Sequence, residues 1–373
     1  MKNDRIFLST PTMHGDEMKY IHEAFDRNWI APLGFNCDGF EAEMKEYLGE
    51  EANCLCLNAG TAALHLAVKL AGVKQGDVVF CSDMTFAATV NPVSYEKAVQ
   101  VFIDSERETW NMDPVALEKA FEKYPDAKAV MLAHLYGTPA KMDEIKEICD
   151  RHGAVLIEDA AEALSADYKG KKCGTFGKYG VLSFNGNKII TTSGGGMLVC
   201  DNEADRKKAL FWATQARENF PWYQHEEIGY NYRMSNVVAG IGRGQLLHLK
   251  EHRDLKEKIY RRYEEAFKEL PVTMNPYLFD SKPNFWLSCL TVNEGASVDP
   301  LDIMNKLAKE NIEARPIWKP MHMQPVFEGN DFITAEGEDV GKDIFERGLC
   351  MPSDIKMTEE EQNRVIAVIK SFF

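Results

Sequence analysis

The sequence predicts an α/β protein, in which a large domain built on a seven-stranded, mostly parallel sheet is followed by a smaller C-terminal α+β domain. Between Asn53 and Cys200, short apolar runs alternate with longer amphipathic stretches, the pattern of strands joined by helices. Most of those runs are continuous rather than alternating, as in a sheet covered by helices on both faces. Beyond Phe267, Pro271, Pro276 and Pro283 interrupt any periodicity. The boundary is placed shortly before them, giving domains of residues 1–250 and 251–373.

Seven strands are expected near Cys54–Leu57, Val78–Cys81, Val99–Ile103, Ala129–Ala133, Ala154–Ile157, Gly180–Phe184 and Gly196–Cys200. Asp113 before Pro114 suits an N-cap and a first-turn proline. Ser235 is placed to cap one long helix from Asn236 to about Phe267. The C-terminal domain should hold a strand over Phe285–Val292, a helix from Pro300 to Asn311, and a last helix opened by Thr358 and Glu361 at capping-box spacing.

A chain of 373 residues with 45% hydrophobic content can bury a large core. Its formal net charge of -15 argues against broad contact with nucleic acid or an anionic membrane, both of which need positive charge facing phosphate. No signal-peptide pattern opens the sequence and no stretch of about 18 apolar residues occurs, so a cytoplasmic protein is expected. The nine cysteines include no C-x-x-C pair and read as reduced thiols, with Cys54 and Cys56 buried on one face of a strand.

Three segments could carry chemistry. Glu158 and Asp159 fall where an apolar strand should end, the edge at which α/β sheets bind ligands; they read either as a solvated acidic turn or as a partner for a heteroaromatic nitrogen. Lys188 is the only basic residue between Lys178 and Arg206 and lies in a polar, glycine-rich turn. Desolvation there would free its amine as a nucleophile, whereas on an open hairpin it would be a surface lysine. Gly194, Gly195 and Gly196 fit a close backbone approach, a positive φ or a plain flexible turn. Gly60 and Thr61 open a helix after a strand, as a simple cap or as a phosphate site of free amides and a hydroxyl. Neither Gly174–Lys178 nor Gly240–Gly244 has the spacing of a nucleotide-binding loop. Together the three segments supply a phosphate cradle, a pyridine-nitrogen partner and a Schiff-base lysine, the set that pyridoxal phosphate requires.

At these residues the chain resembles the DegT/DnrJ/EryC1/StrS family of sugar aminotransferases over nearly its whole length. The blocks that carry the resemblance are Tyr20–Gly34, Asn58–His65, Glu158–Ala163, Ser183–Met197 and Gly229–Asn236. Within the family it is most similar to the 4-aminotransferases of UDP-N-acetylbacillosamine synthesis, through Ser183–Met197 and Thr214–Asn219. The resemblance implies the pyridoxal phosphate fold type I, a homodimer with shared active sites, L-glutamate as amino donor and a UDP-linked 4-keto-6-deoxy sugar as acceptor. It implies that Lys188 carries pyridoxal 5′-phosphate and that Asp159 pairs with its ring nitrogen. Gly60, Thr61, Ser183 and, from the neighbouring subunit, Asn236 would hold the phosphate, with Phe86 against the ring. Glu162 and Asn185, also implied to contact the cofactor, stand where many members have glutamine and histidine, and both types occur in the bacillosamine subgroup. A related dehydratase has histidine where this chain keeps Lys188, which favours transamination.

The sugar site is expected to involve Ala31, Pro32 and Leu33 together with Arg315, Trp318 and His322 from an aromatic and basic loop; Trp318 and His322 could equally be structural. A lysine aldolase without cofactor and a non-catalytic pyridoxal phosphate sensor are the competing readings, and no metal is expected.

Overall fold

The computed structural model describes residues 4–373. The central sheet contains β1 (Asn53–Leu57), β2 (Val78–Ser82), β3 (Val99–Ile103), β4 (Ala129–Ala133), β5 (Val155–Asp159), β6 (Tyr179–Ser183) and β7 (Gly196–Cys200) in the order β1-β7-β6-β5-β4-β2-β3. All neighbours pair in parallel except at β7, which runs against both β1 and β6. The seven expected strands are therefore present and mostly parallel. An eighth, Phe332–Ile333, extends the β3 edge. Two residues long and supplied by the C-terminal part of the chain, it has no apolar run to announce it.

The strands read as continuous apolar runs because successive side chains enter different helical layers. On one face Val79, Cys81, Ala129 and Met131 pack against α3 (Gly60–Leu70) and α4 (Ala87–Tyr95). On the other, Phe80, Val101, Val130 and Leu132 pack against α5 (Pro114–Lys123) and α6 (Met142–His152). Asp113 caps α5 by accepting from the amides of Val115 and Ala116. Cys54 and Cys56 lie together in a third cluster with Phe40 and Met44, and all nine cysteines are buried free thiols.

Ser235 caps a helix as expected, but that helix is interrupted. Asn236–Leu246 and Leu249–Phe267 are separate helices, because His248 leaves helical geometry to stack its ring on His14 and pair with Asp16. Leu249–Phe267 packs with the helices Pro300–Lys309 and Glu359–Lys370 on a four-stranded antiparallel sheet, ordered Val272–Met274, Ser288–Val292, Gly348–Met351 and Arg315–Pro316. Ile6, near the other end of the chain, is buried in this same core and bridges Ile312. The Thr358–Glu361 capping box is present. The strand expected from Phe285 starts only at Ser288: Phe285 has a φ of 54° and the Trp286 amide donates to Asn284 Oδ1, which turns the segment out of the ladder. Among the described residues, no helix is long and apolar enough to cross a membrane.

Candidate active site

The carboxyl ends of the parallel strands, the start of antiparallel β7 and the N-terminus of α3 meet along one edge of the sheet, where open α/β folds bind ligands. A cavity of about 410 Å³ opens there. Of the expected residues, Gly60, Thr61, Phe86, Asp159, Glu162, Ser183, Asn185, Lys188 and Trp318 all line it.

The α3 end is free to take an anion. Its N-cap, Ala59, makes no side-chain cap, and the first intrahelical bond is donated by Ala63, so the amides before it lack helical partners. Glycine is required around this end. A Cβ on Gly60 would lie 3.3 Å from that of Ser183, and one on Gly196 would fall into the backbone of Ala59 and Gly60. Within the glycine run Gly196 serves close approach, whereas the positive φ of 74° belongs to Ser193 just before it.

The two adjacent carboxylates of β5 separate by the strand alternation. Glu158 turns inward, accepts from the amides of Gly174 and Gly177, and meets Nε2 of fully buried His134 at 3.0 Å. Asp159 faces the cavity, accepting from Thr89 Oγ1 at 2.6 Å and from the Ala161 amide at 3.0 Å. Thr85 in turn lies 2.6 Å from Thr89, so the carboxylate is held by an ordered pair of hydroxyls.

Lys188 is drawn into the protein. Its Nζ lies 3.4 Å from Glu162 Oε1 and 4.1 Å from the centre of the Trp286 ring, a cation–π contact. The Glu162 carboxyl is pushed up to about 7, mainly by burial, against the lowering effects of Lys188 and the Tyr136 amide. Trp318 closes the opposite wall, its ring 5.5 Å from Phe86 and 5.3 Å from Tyr136.

Other expected residues lie elsewhere. Asn236 is buried within its own chain; its carboxamide donates to Trp29 O at 2.7 Å and accepts from the Asn36 amide at 2.8 Å, which ties a loop to the start of its helix. Ala31 and Pro32 pack on that same helix start, and Leu33 is exposed to solvent. Arg315 pairs with Glu313 on the surface. His322 clasps Asp83 at 2.7 Å and Asp339 at 3.2 Å and stacks on Phe332, which anchors the loop bearing Trp318 without entering the cavity. Thr89 and Trp286 were missed. Thr89, a polar residue one turn into an apolar helix beyond the carboxyl end of β2, left a readable trace; Trp286 reaches the site only through the chain reversal at Phe285.

The family model described as the DegT/DnrJ/EryC1/StrS aminotransferase family matches residues 11–370. The chain belongs to this family. This aminotransferase is 52% identical over 375 residues to EpsN of Bacillus subtilis (strain 168), to which a pyridoxal phosphate-dependent aminotransferase activity is ascribed; the match covers 99% of this chain and 96% of EpsN. It is 35% identical to the GDP-perosamine synthase of Caulobacter vibrioides, over 98% of this chain and 97% of that one. The crystal structure of the aminotransferase TlmJ from Streptoalloteichus hindustanus superposes with a TM-score of 0.89 at 25% identity, covering 98% of each chain. The cofactor of this aminotransferase is pyridoxal 5′-phosphate. The cradle that glycine leaves at α3, the fixed carboxylate of Asp159 and the drawn-in amine of Lys188 fit its phosphate, its ring nitrogen and its carbonyl.

Proposed function

We propose that this aminotransferase moves an amino group from L-glutamate to a nucleotide-linked 4-keto-6-deoxy sugar, best a UDP-linked 2-acetamido sugar, forming the 4-amino sugar. The observation that carries this reading is the placement of the Lys188 amine, the Asp159 carboxylate and the uncapped α3 terminus on one cavity. The UDP 4-keto substrate rests on the likeness of Ser183–Met197 and Thr214–Asn219 to the bacillosamine 4-aminotransferases. A GDP-linked acceptor is the second reading, favoured by the likeness to GDP-perosamine synthase.

Bound pyridoxal phosphate supplies an electrophilic carbonyl and an electron sink. The amides of Gly60 and Thr61 and the Ser183 hydroxyl hold its phosphate. Asp159, steadied by Thr89, would keep a proton on the ring nitrogen, and Phe86 would lie against the ring. Nζ of Lys188 is the base: it removes a proton from the amine-bearing carbon of the donor and returns one to the acceptor carbon in the second half of the cycle. Glu162 accompanies that amine, and its carboxyl, balanced near neutrality, can hold a proton beside it. Asn185 closes the cofactor side of the cavity and Trp318 the sugar side. Trp29, Ile30, Leu33, Phe220, Trp222 and Tyr223 are exposed, an apolar load that supports docking of a second copy as a homodimer.

A half-reaction assay tests the reading. Glutamate should convert the pyridoxal form to the pyridoxamine form, and a panel of nucleotide amino sugars, run in reverse, should show UDP-4-amino sugars reacting fastest. A protein that stays in the pyridoxal form with every donor and every amino sugar is not this enzyme.

A further inference from the structure

Lysine is seldom buried without a carboxylate partner, yet Lys256 on the helix Leu249–Phe267 is 4% exposed and forms no ion pair among the described residues. Its three donors meet three oxygens: Ser353 O at 2.6 Å, Trp286 O at 3.0 Å and Ser9 Oγ at 3.2 Å. A neutral amine keeps two donors and would leave one of these oxygens unmatched. Burial nonetheless pushes the amine down to about 7, with Asp354 raising it and Lys356 lowering it through space. His252 lies one turn earlier on the same helix, and Lys188 lies across a gap of about 10 Å³.

Two of the three acceptors lead to one atom. The carbonyl oxygen of Asn187 accepts from the Trp286 indole at 2.7 Å and from Ser9 Oγ at 3.3 Å. Asn187 immediately precedes Lys188, and the same indole faces the Lys188 ammonium. We propose that Lys256 is a positioning residue for Lys188: its ammonium fixes Ser9 and Trp286, and these hold the Asn187 carbonyl so that the Lys188 amine is aimed at Glu162 and the cavity. This rests on the reading of Lys188 as the reactive amine. Lys256 does not touch the reacting atoms; it removes freedom from the segment that carries them, and misplacing a reactive group by about 1 Å can cost on the order of 100-fold in rate.

Lys256→Met keeps the length of the side chain and removes its donors. In the holoenzyme, the pH midpoint of the visible band of the lysine-linked cofactor should move by roughly one unit. The value of kcat should fall about tenfold or more while KM for glutamate stays within about twofold. Backbone hydrogen exchange around Lys188 should quicken about tenfold in the cofactor-free chain. A variant that only melts earlier, with band midpoint, kcat and exchange as in the wild type, overturns the proposal. If Lys256→Met does not fold, Trp286→Phe decides, since it keeps a ring but loses the bond to Asn187: a displaced midpoint supports the clamp and an unmoved one overturns it. Failure of the functional reading is distinct, because it would appear as a wild-type protein without a cofactor band, whereas the exchange measurement needs no cofactor.

Discussion

Oε1 of Glu162 stands 3.4 Å from Nζ of Lys188, while the other oxygen of the same carboxyl accepts from the Tyr136 amide at 2.7 Å. The pair couples a buried acid to the amine proposed to do the chemistry, and both partners can be tested separately.

Lys188→Ala should abolish transamination. Proton transfer by a positioned amine is worth roughly 10² to 10⁴ in rate, and the covalent anchor is lost with it. The variant should fold normally and lose the visible band of the lysine-linked cofactor, as circular dichroism and absorbance would show; a variant retaining both band and turnover refutes the assignment.

Glu162 predicts a pH effect on stability. Its folded carboxyl sits near 7 against 4.5 in the unfolded chain, so between these values the unfolded state binds fewer protons and stability falls as pH rises. The loss is on the order of 3 kcal/mol for the cofactor-free protein. Glu162→Gln should remove this slope and gain relative to wild type at pH 8 over pH 5, read from urea midpoints at the two values.

Gly196→Ala places a methyl group in the backbone of Ala59 and Gly60. Overpacking of this kind costs about 1–3 kcal/mol and would push the α3 terminus away from the phosphate. Cofactor affinity should fall at least about tenfold by equilibrium dialysis, together with a lower melting temperature.

His322→Ala opens the clasp under Trp318. Burial disfavours the charged ring, but the hydrogen bond and charge of Asp83, with Asp339 and Asp104 beyond, raise it above its ordinary value. Its stabilising contribution is complete below about pH 6.5 and fades as pH rises through the raised value. The variant should lose about 1–3 kcal/mol at pH 6 and less at pH 9. The sugar KM should rise, since the clasp anchors the loop that carries Trp318.

The fold was legible because periodicity is local. The seven strands are visible as apolar runs, since each residue of a doubly covered strand meets one helical layer or the other. The cavity lining was legible where it sits at strand ends: Asp159, Ser183 and Lys188 fall at or just beyond them. Of the residues expected at the sugar site, Trp318 lines the cavity and the others lie elsewhere in the chain. His322 and Arg315 have the residue types of a ligand site, yet Asp83 and Glu313, distant or adjacent, take them as partners. Asn236 opens its helix and binds Trp29 and Asn36 of its own chain, contacts that no local pattern announces.

Sequence alone determined the layered α/β domain and the cofactor class, and singled out the lysine that the fold brings to the cavity, because these depend on the spacing of apolar residues and on motifs contiguous in the chain. Tertiary structure alone decided that Glu158 turns inward to His134, that Thr89 fixes Asp159, and that Trp286 and Lys256 stand behind Lys188. Those relationships join residues tens to hundreds of positions apart, and what each polar group meets is set by how the chain closes on itself rather than by its neighbours in sequence.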